Sequence, residues 1–459
     1  MTTDGSRARS SGVFASLAIA FGSLVSTPAG AQLRSSASDP IAPQQAPPRD
    51  PYVFVFDGKL GVEPSVRTLD SLGRLIFRYE DVLPFGNKPE VGFGDKALGV
   101  LGRSLKLLFI DEPIAELTTV TVHELGGHGA RGRELGLRPS FLFNVPGIYQ
   151  LLFASRADEA AGGYTRYLTE GTVEDTKEVV SVLGGLEANY VHAWWINARI
   201  VHQRGWVHHG DLLTYMMSKL PYAGSFLSSS LERGGTRTSN DVMSYVTGLQ
   251  EVSNGWRAED RRRIARRLSA GYVWNLVDPT LFYAFYGVVV SSIYRGERMS
   301  RMPLPTIGRW QVFPSPRFGL TPFGAEQGID VFLSPRDGGP LLDVHARVGT
   351  SGITNEGYWG AGARLLGAEL FSRHVHLGVE LDVWRQPEIL VEERALFDRP
   401  NRMGVNAGVF ADVRLLGGRH RDDPRLGMSA KLAAKTAGYV PGQPVAGGAH
   451  GYVGLSLAW

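Results

Sequence analysis

The stretch Leu342-Asp343-Val344-His345-Ala346-Arg347-Val348 puts an apolar residue at every second position and a charged or polar one between. Side chains alternate across a β-strand, so the segment reads as a strand with one apolar and one polar face. Val379, Leu381 and Val383 alternate in the same way with Glu380 and Asp382, and Val409, Ala411, Val413 and Leu415 with Asp412 and Arg414. Similar stretches begin near Arg317, Gly328, Gly357, Met428 and Gly451. About eight strands therefore follow Met302-Pro303-Leu304-Pro305, separated by turn-rich runs such as Pro335-Arg336-Asp337-Gly338-Gly339. Their polar faces carry Glu380, Arg414, Lys431 and Lys435, which suits a polar lumen.

Upstream, from about Tyr52 to Tyr294, the period is that of helices. Leu105 to Leu125, Val173 to His202, Asp211 to Leu231, Asn240 to Val252 and Ala258 to Val273 are predicted helical. Pro279 to Tyr294 is apolar but shorter than a usual membrane span, and reads as a buried helix. The fold class expected is α+β and multidomain, with a mainly helical domain over 52–300 and strands over 301–459. Whether Tyr52 to Phe56 adds a strand is open at this point. Arg7 and Arg9, the apolar run Val13 to Val25 and Ala29-Gly30-Ala31 mark 1–31 as a signal peptide, and 32–51 as a Pro-rich linker.

An exported chain with about eight amphipathic strands resembles the bacterial outer-membrane β-barrels. The last strand strengthens the resemblance: Val453, Leu455, Leu457 and Trp459 share a face and end on an aromatic. The resemblance implies an antiparallel transmembrane β-barrel over 301–459, contact with outer-membrane lipid, and recognition of the C-terminal strand by the barrel assembly machinery. The helical domain would then lie in the periplasm or inside or beside the barrel. A soluble antiparallel barrel or sandwich is the competing reading.

Lys and Arg number 48 against 45 Asp and Glu, for a formal charge of +3. That balance argues against nucleic acid as a partner. With no cysteine in 459 residues, any metal must be held by His, Asp and Glu.

The chemistry centres on Val122-His123-Glu124-Leu125-Gly126-Gly127-His128-Gly129. It resembles the HExxH motif of zincin metallopeptidases, lengthened by one residue. In that motif two histidines four apart bind zinc and the glutamate polarises the attacking water. Here the histidines are five apart, which on a regular α-helix separates them by about 140°. Gly126-Gly127 permits a π-bulge or local unwinding that brings them back to one side. The lengthened wording is similar to that of the TldD-type proteases, whose third zinc ligand is a cysteine, which this chain lacks.

The resemblance implies that His123 and His128 bind Zn2+ and that Glu124 is the catalytic base. The third metal ligand predicted is Glu187, in Gly184-Gly185-Leu186-Glu187-Ala188-Asn189-Tyr190, where small residues allow close helix approach; His192, Glu159, Asp158 and His202 are rivals. Glu124 and His128, four apart, could instead be the ligands on an undistorted helix, and a polar patch at a helix end needs no ion at all.

His208-His209 reads as a solvated turn, the arginines from Arg261 to Arg267 as a solvated helix face, and Trp194, Trp195 and Trp206 as core. Zinc-dependent hydrolysis of a peptide or protein substrate at the cell envelope is the function expected. The alternatives are a non-enzymatic barrel with a helical plug or binding domain, and an amidase or other hydrolase using the same zinc chemistry.

Overall fold

The computed structural model describes residues 51–80, 92–144, 146–149, 163–168, 175–220, 222–227, 241–252, 258–352, 356–372, 374–388, 401–417 and 424–458. The export signal, nearly all of the Pro-rich linker, Asp158, Glu159 and Trp459 lie outside them.

Among the described residues, five short strands lie in the first part of the chain: β1 (Tyr52–Phe56), β2 (Arg138–Phe143), β3 (Gly163–Leu168), β4 (Trp206–His208) and β5 (Met299–Arg301). β2 pairs with β3 and β4 with β5. The remaining strands are β6 (Thr306–Ile307), β7 (Trp310–Thr321), β8 (Gly324–Pro335), β9 (Leu341–Ser351), β10 (Gly357–Ser372), β11 (Val375–Pro387), β12 (Asn401–Gly417), β13 (Arg425–Lys435) and β14 (Gly448–Ala458). With β1 they form one antiparallel sheet of ten strands, in the order β1-β14-β13-β12-β11-β10-β9-β8-β7-β6. The eight strands expected from alternation are the eight long ones. Two were not among them: the two-residue β6, too short to show a period, and β1, which joins the sheet from the other end of the chain by pairing Tyr52 with Leu457 and Phe56 with Val453. The sheet is open, with β1 and β6 at its ends.

The sheet is inverted relative to a soluble one. On β9, Asp343, His345 and Arg347 are buried, at 1%, 7% and 4% exposure, whereas Val344 and Val348 stand 43% and 59% exposed. Val379, Leu381, Val409 and Leu432 are likewise exposed, while Glu380, Asp382, Asn406 and Lys431 are buried. Buried charge is tolerable only when paired. Lys431 Nζ donates to Glu63 (2.7 Å) and Glu380 (3.0 Å), Arg347 to Glu326 (3.1 Å), and Asn406 to both Glu380 and Asp382 at 3.0 Å.

The helices described are α1 (Val62–Glu80), α2 (Phe93–Lys106), α3 (Glu112–Thr121), α4 (Gly129–Glu134), α5 (Asp175–His202), α6 (His209–Lys219), α7 (Ala223–Leu227), α8 (Asp241–Val252), α9 (Ala258–Leu276) and α10 (Pro279–Tyr286), of which α1, α5, α9 and α10 pack on strands of the sheet. α5 supplies side chains to all three apolar clusters, through Leu183, Ile196 and Val191. Polar tips on its other positions meet the sheet: Tyr190 donates to Asp330 (3.1 Å) and Trp194 Nε1 to Asp343 (3.2 Å). From α1, Arg67 donates to Tyr452 at 2.5 Å. Two of the three apolar clusters thus draw on both sides of residue 300, and the third, around Val62, Val66, Val122 and Val191, lies wholly before it.

The run Leu105 to Leu125 is not one regular helix. α3 is flanked by π-helical segments at Leu107–Asp111 and Val122–His128, and α10 continues into a third at Gly287–Tyr294. His208-His209 is not a solvated turn. His208 caps α6 by accepting from Gly210 N (3.1 Å), and His209 is buried 3.3 Å from Asp111. The side-chain oxygen of Asp278 similarly caps α10, where Pro279 takes a position that needs no N–H.

Candidate metal centre

The π-helical segment Val122–His128 contains the whole His-Glu-x-x-Gly-His stretch. Its wider turn returns residues five apart to one side. The Nε2 atoms of His123 and His128 approach to 3.1 Å, with the rings nearly perpendicular (83°) and their centroids 4.7 Å apart.

Glycines on two elements make room for this pair. A Cβ on Gly127 would stand 2.6 Å from Gly185 Cα, and one on Gly184 2.8 Å from Gly127 O. The π-segment and α5 therefore touch backbone to backbone, a separation only glycine allows. A Cβ on Gly185 would lie 2.6 Å from His128 Nε2 and closer still to Cε1 and Nε2 of His123. Hydrogen at position 185 leaves a small space between the two ring nitrogens and α5.

The third group at this point is Asp241, the first residue of α8. Its Oδ2 lies 2.7 Å from His123 Nε2 and 3.2 Å from His128 Nε2, and accepts from Tyr222 Oη at 2.7 Å. Tyr222 holds a left-handed φ of 59°, a conformation costing of order 1–3 kcal/mol for a non-glycine residue. That conformation accompanies a hydroxyl 3.4 Å from His123 Nε2. Behind the rings, His128 Nδ1 bonds Ser181 O (2.8 Å) and His123 Nδ1 meets Asn189 Nδ2 (3.1 Å).

Electrostatics tie the cluster together. Burial disfavours the charged ring of His128, but the Asp241 carboxylate outweighs it and raises His128 to about 9. Burial would also raise Asp241, yet the two imidazoles hold it well below the usual carboxylate range. Burial and the adjacent Asp241 charge together push the Tyr222 hydroxyl far up, so it is a donor at neutral pH.

Glu187 does not join this centre. Its carboxylate is taken by Arg131, through Nε (2.8 Å) and Nη2, and by Gly442 N (2.8 Å). The pair is fully buried, and Arg131 also holds Glu134 at 2.5 Å. The Gly184-Gly185 approach read from the sequence is real, but it serves the imidazoles. Of the rivals, His192 bonds Asp70 (3.2 Å) and Ser218 (3.3 Å), and His202 is exposed at the end of α5. Asp241 escaped notice because an acid in the first turn of a helix has an ordinary role there, opposite the positive end of the dipole.

Glu124 is buried beside the histidines and accepts from Thr165 Oγ1 on β3 at 2.6 Å. No hydrogen bond to its other oxygen occurs among the described residues. As His123 and Asp241 meet directly, the alternative pairing of Glu124 with His128 on an undistorted helix does not describe this segment.

The donor set fits a small divalent cation. Two ligands about 2.0–2.1 Å from a tetrahedral ion stand roughly 3.3 Å apart, and the three separations here are 3.1, 2.7 and 3.2 Å. The protons now shared among these atoms would leave when a cation binds. His128 already turns Nδ1 to a carbonyl, which leaves Nε2 for the ion. For His123 the same outcome requires the Asn189 amide to turn, placing Oδ1, now buried without a partner, at Nδ1–H.

A second cluster, Asp330, Asp343 and His345, lies under the sheet. Its members are committed to Tyr190, Trp194 and Asp382, with Arg317 3.6 Å from Asp330, so it reads as part of the ion-pair network. No family model, curated protein or solved structure matches this chain.

Proposed function

We propose that the protein is a zinc-dependent hydrolase of peptide bonds held in the bacterial outer membrane. The observation that carries the catalytic half is the meeting of His123 Nε2, His128 Nε2 and Asp241 Oδ2 beside a buried glutamate. In this reading His123, His128 and Asp241 would hold the ion. Zinc at that point would lower the pKa of a water toward about 7 and polarise the scissile carbonyl. Glu124, oriented by Thr165, accepts the proton of the attacking water and returns it to the leaving amine. Tyr222, whose single hydroxyl proton now goes to Asp241, would hydrogen-bond a carbonyl oxygen as charge develops on it only after turning from that carboxylate.

The membrane half rests on the inverted sheet. The eight long strands, of 11 to 17 residues, meet or exceed the 9 to 11 that cross a bilayer at a tilt. Their exposed faces are apolar where a soluble sheet would be polar. The C-terminal strand would be read by the assembly machinery. A second reading, a non-enzymatic barrel with a helical plug, is favoured by the Glu63–Lys431 ion pair and the Trp194–Asp343 hydrogen bond that fix α1 and α5 to the sheet's polar face.

The discriminating experiment uses purified mature protein. Wild type is expected to contain close to one zinc and to cleave an envelope-derived protein mixture. Glu124→Gln should keep the metal and lose cleavage, and His123→Ala should lose both. Equal cleavage by wild type and Glu124→Gln would reject the mechanism, and wild type without zinc would favour the plug.

A further inference from the structure

Two sheet edges and the helices between them carry an inference that rests on the membrane reading above. On β1, the N–H and C=O of Val53 both bond Ser71 Oγ (2.8 and 2.9 Å), and those of Val55 both bond Thr68 Oγ1 (2.9 and 3.1 Å). These are the groups another strand would use, and α1 has taken them. On the far side of β7, Val312 N bonds Pro305 O (2.9 Å), while Pro314 and Pro316 have no N–H to offer. Lys219 Nζ donates to Pro316 O (2.8 Å), Phe318 N donates to Asn275 Oδ1 on α9 (2.9 Å), and Tyr439 Oη donates to Leu320 O (3.3 Å). Both edges are thus closed by groups that cannot continue a sheet.

Helices occupy the interval between those edges: α1 packs on α3, α3 on α6, α6 on α10, and α10 on β7, with α2 against the π-helical segments Leu107–Asp111 and Gly287–Tyr294. They repeat the inversion of the sheet. Facing inward, Asp70 pairs with Arg199 (2.7 Å), Asp111 with Lys106 (2.9 Å) and Asp278 with Lys219 (2.9 Å). Facing outward, Leu72 and Ile76 of α1, Leu98 and Leu101 of α2, and Phe282 of α10 are exposed, Leu98 at 68% and Phe282 at 58%. Among the described residues no single helix is long and apolar enough to cross a membrane, although the bent pair Glu259–Leu276 and Pro279–Tyr294 passes by length and composition alone. A helical layer in water would arrange its polar and apolar residues the other way.

We infer that the wall facing the bilayer is composite: the ten strands do not close on themselves, and α1, α2 and α10 complete the circuit with their apolar faces against lipid acyl chains. A bilayer demands that every backbone polar group be satisfied, which the two hydroxyl clamps, the prolines and the Lys219, Asn275 and Tyr439 contacts do at the edges.

The absence of native cysteine makes the test direct. Ile76→Cys, Leu98→Cys and Phe282→Cys would each carry a single nitroxide in the full mature chain, reconstituted in phosphatidylcholine and phosphatidylglycerol vesicles. Collision with oxygen and with a water-soluble nickel chelate would be compared at each site. Leu381→Cys on the sheet's apolar face and Arg336→Cys in the exposed turn after β8 are the references. The expected result is the oxygen-to-nickel ratio of residue 381 at all three helix positions. A ratio like that of residue 336 would overturn the inference, as would low collision with both reagents, which would mark a contact with a second copy. If residue 381 itself were nickel-accessible, the membrane reading would fail first. For any variant that does not fold, wild type in vesicles bearing a diazirine on the acyl chain gives an independent answer: labelled peptides should include 72–79 and 282–289, and labelling confined to the strands would reject the composite wall.

Discussion

Gly185 is the position at which the metal-centre argument is most exposed to refutation. Gly185→Ala adds one carbon, 2.6 Å from His128 Nε2 and nearer to two atoms of the His123 ring, where ordinary contact begins at about 3.4 Å. The neighbours cannot give way cheaply. His128 is fixed by Ser181 O and Asp241, and His123 by Asp241 and Asn189. Relief requires α5 to withdraw from the π-segment by the better part of an ångström, which parts the Gly127 and Gly184 backbones. Overpacking of this kind costs about 1–3 kcal/mol of stability. The effect on metal should be larger in proportion, since ligand distances tolerate only about ±0.2 Å. A loss of roughly 100-fold in zinc affinity, about 2.8 kcal/mol, is expected. Gly126→Ala is the matched control: its Cβ would meet Val66 Cγ2 at 3.5 Å and Ser65 Cβ at 3.6 Å, both ordinary contacts. Zinc content after dialysis against a graded chelator, together with thermal melting in detergent micelles, reads both variants. If Gly185→Ala held zinc as tightly as wild type and Gly126→Ala, the imidazoles would not converge where the geometry places them.

Asp241→Ala should lose zinc as fully as His123→Ala does, by metal analysis of the folded protein, because both remove a ligand from the same point. Glu187→Ala should instead destabilise while leaving zinc content unchanged: it strands the buried Arg131, at a cost near the lower end of about 3–5 kcal/mol since Glu134 remains, measurable as a shift in the denaturant midpoint. A fragment of residues 301–459 should fail to fold in detergent or vesicles, judged by heat-modifiable gel migration, because it lacks β1 and the Glu63, Tyr190 and Trp194 partners of the sheet's buried polar groups. Folding of that fragment alone would contradict the shared core.

Period was the legible quantity in this sequence. Alternation locates the eight long strands because each is long enough for period two to repeat several times, and it misses β6 because two residues cannot show a period. The lengthened motif is legible for a related reason: a glycine pair inserted between two histidines is a local solution to a local spacing problem, and the π-segment is confined to those residues. Distance was not legible. Asp241 is 113 positions after His128 and looks like any acid at a helix start, whereas Glu187 sits beside the small residues that do bring α5 close. Sequence proximity to the right glycines suggested the wrong carboxylate, and the fully buried Arg131 claims that carboxylate first.

Alternation gives two faces but does not say which of them is inside. In a sheet facing water the apolar face is buried at a gain of roughly 25 cal/mol per Å²; here that face is outside and the gain must come from whatever covers it. What decides the side is the partner of the polar face. Glu63 on α1 neutralises Lys431, Tyr190 and Trp194 on α5 donate to Asp330 and Asp343, and Glu187 on α5 receives Gly442 N from the segment joining β13 to β14. These groups lie far from the strands in sequence, on α1 and on α5, the helix whose glycines pack against His123 and His128. Unpaired, the same charges would cost several kcal/mol each in the interior, so the strands can turn their polar faces inward only around these helices. The long α5 therefore has two linked tasks: its glycines seat the imidazoles, and its tyrosine and tryptophan hold the sheet in the sense that leaves its apolar face outward.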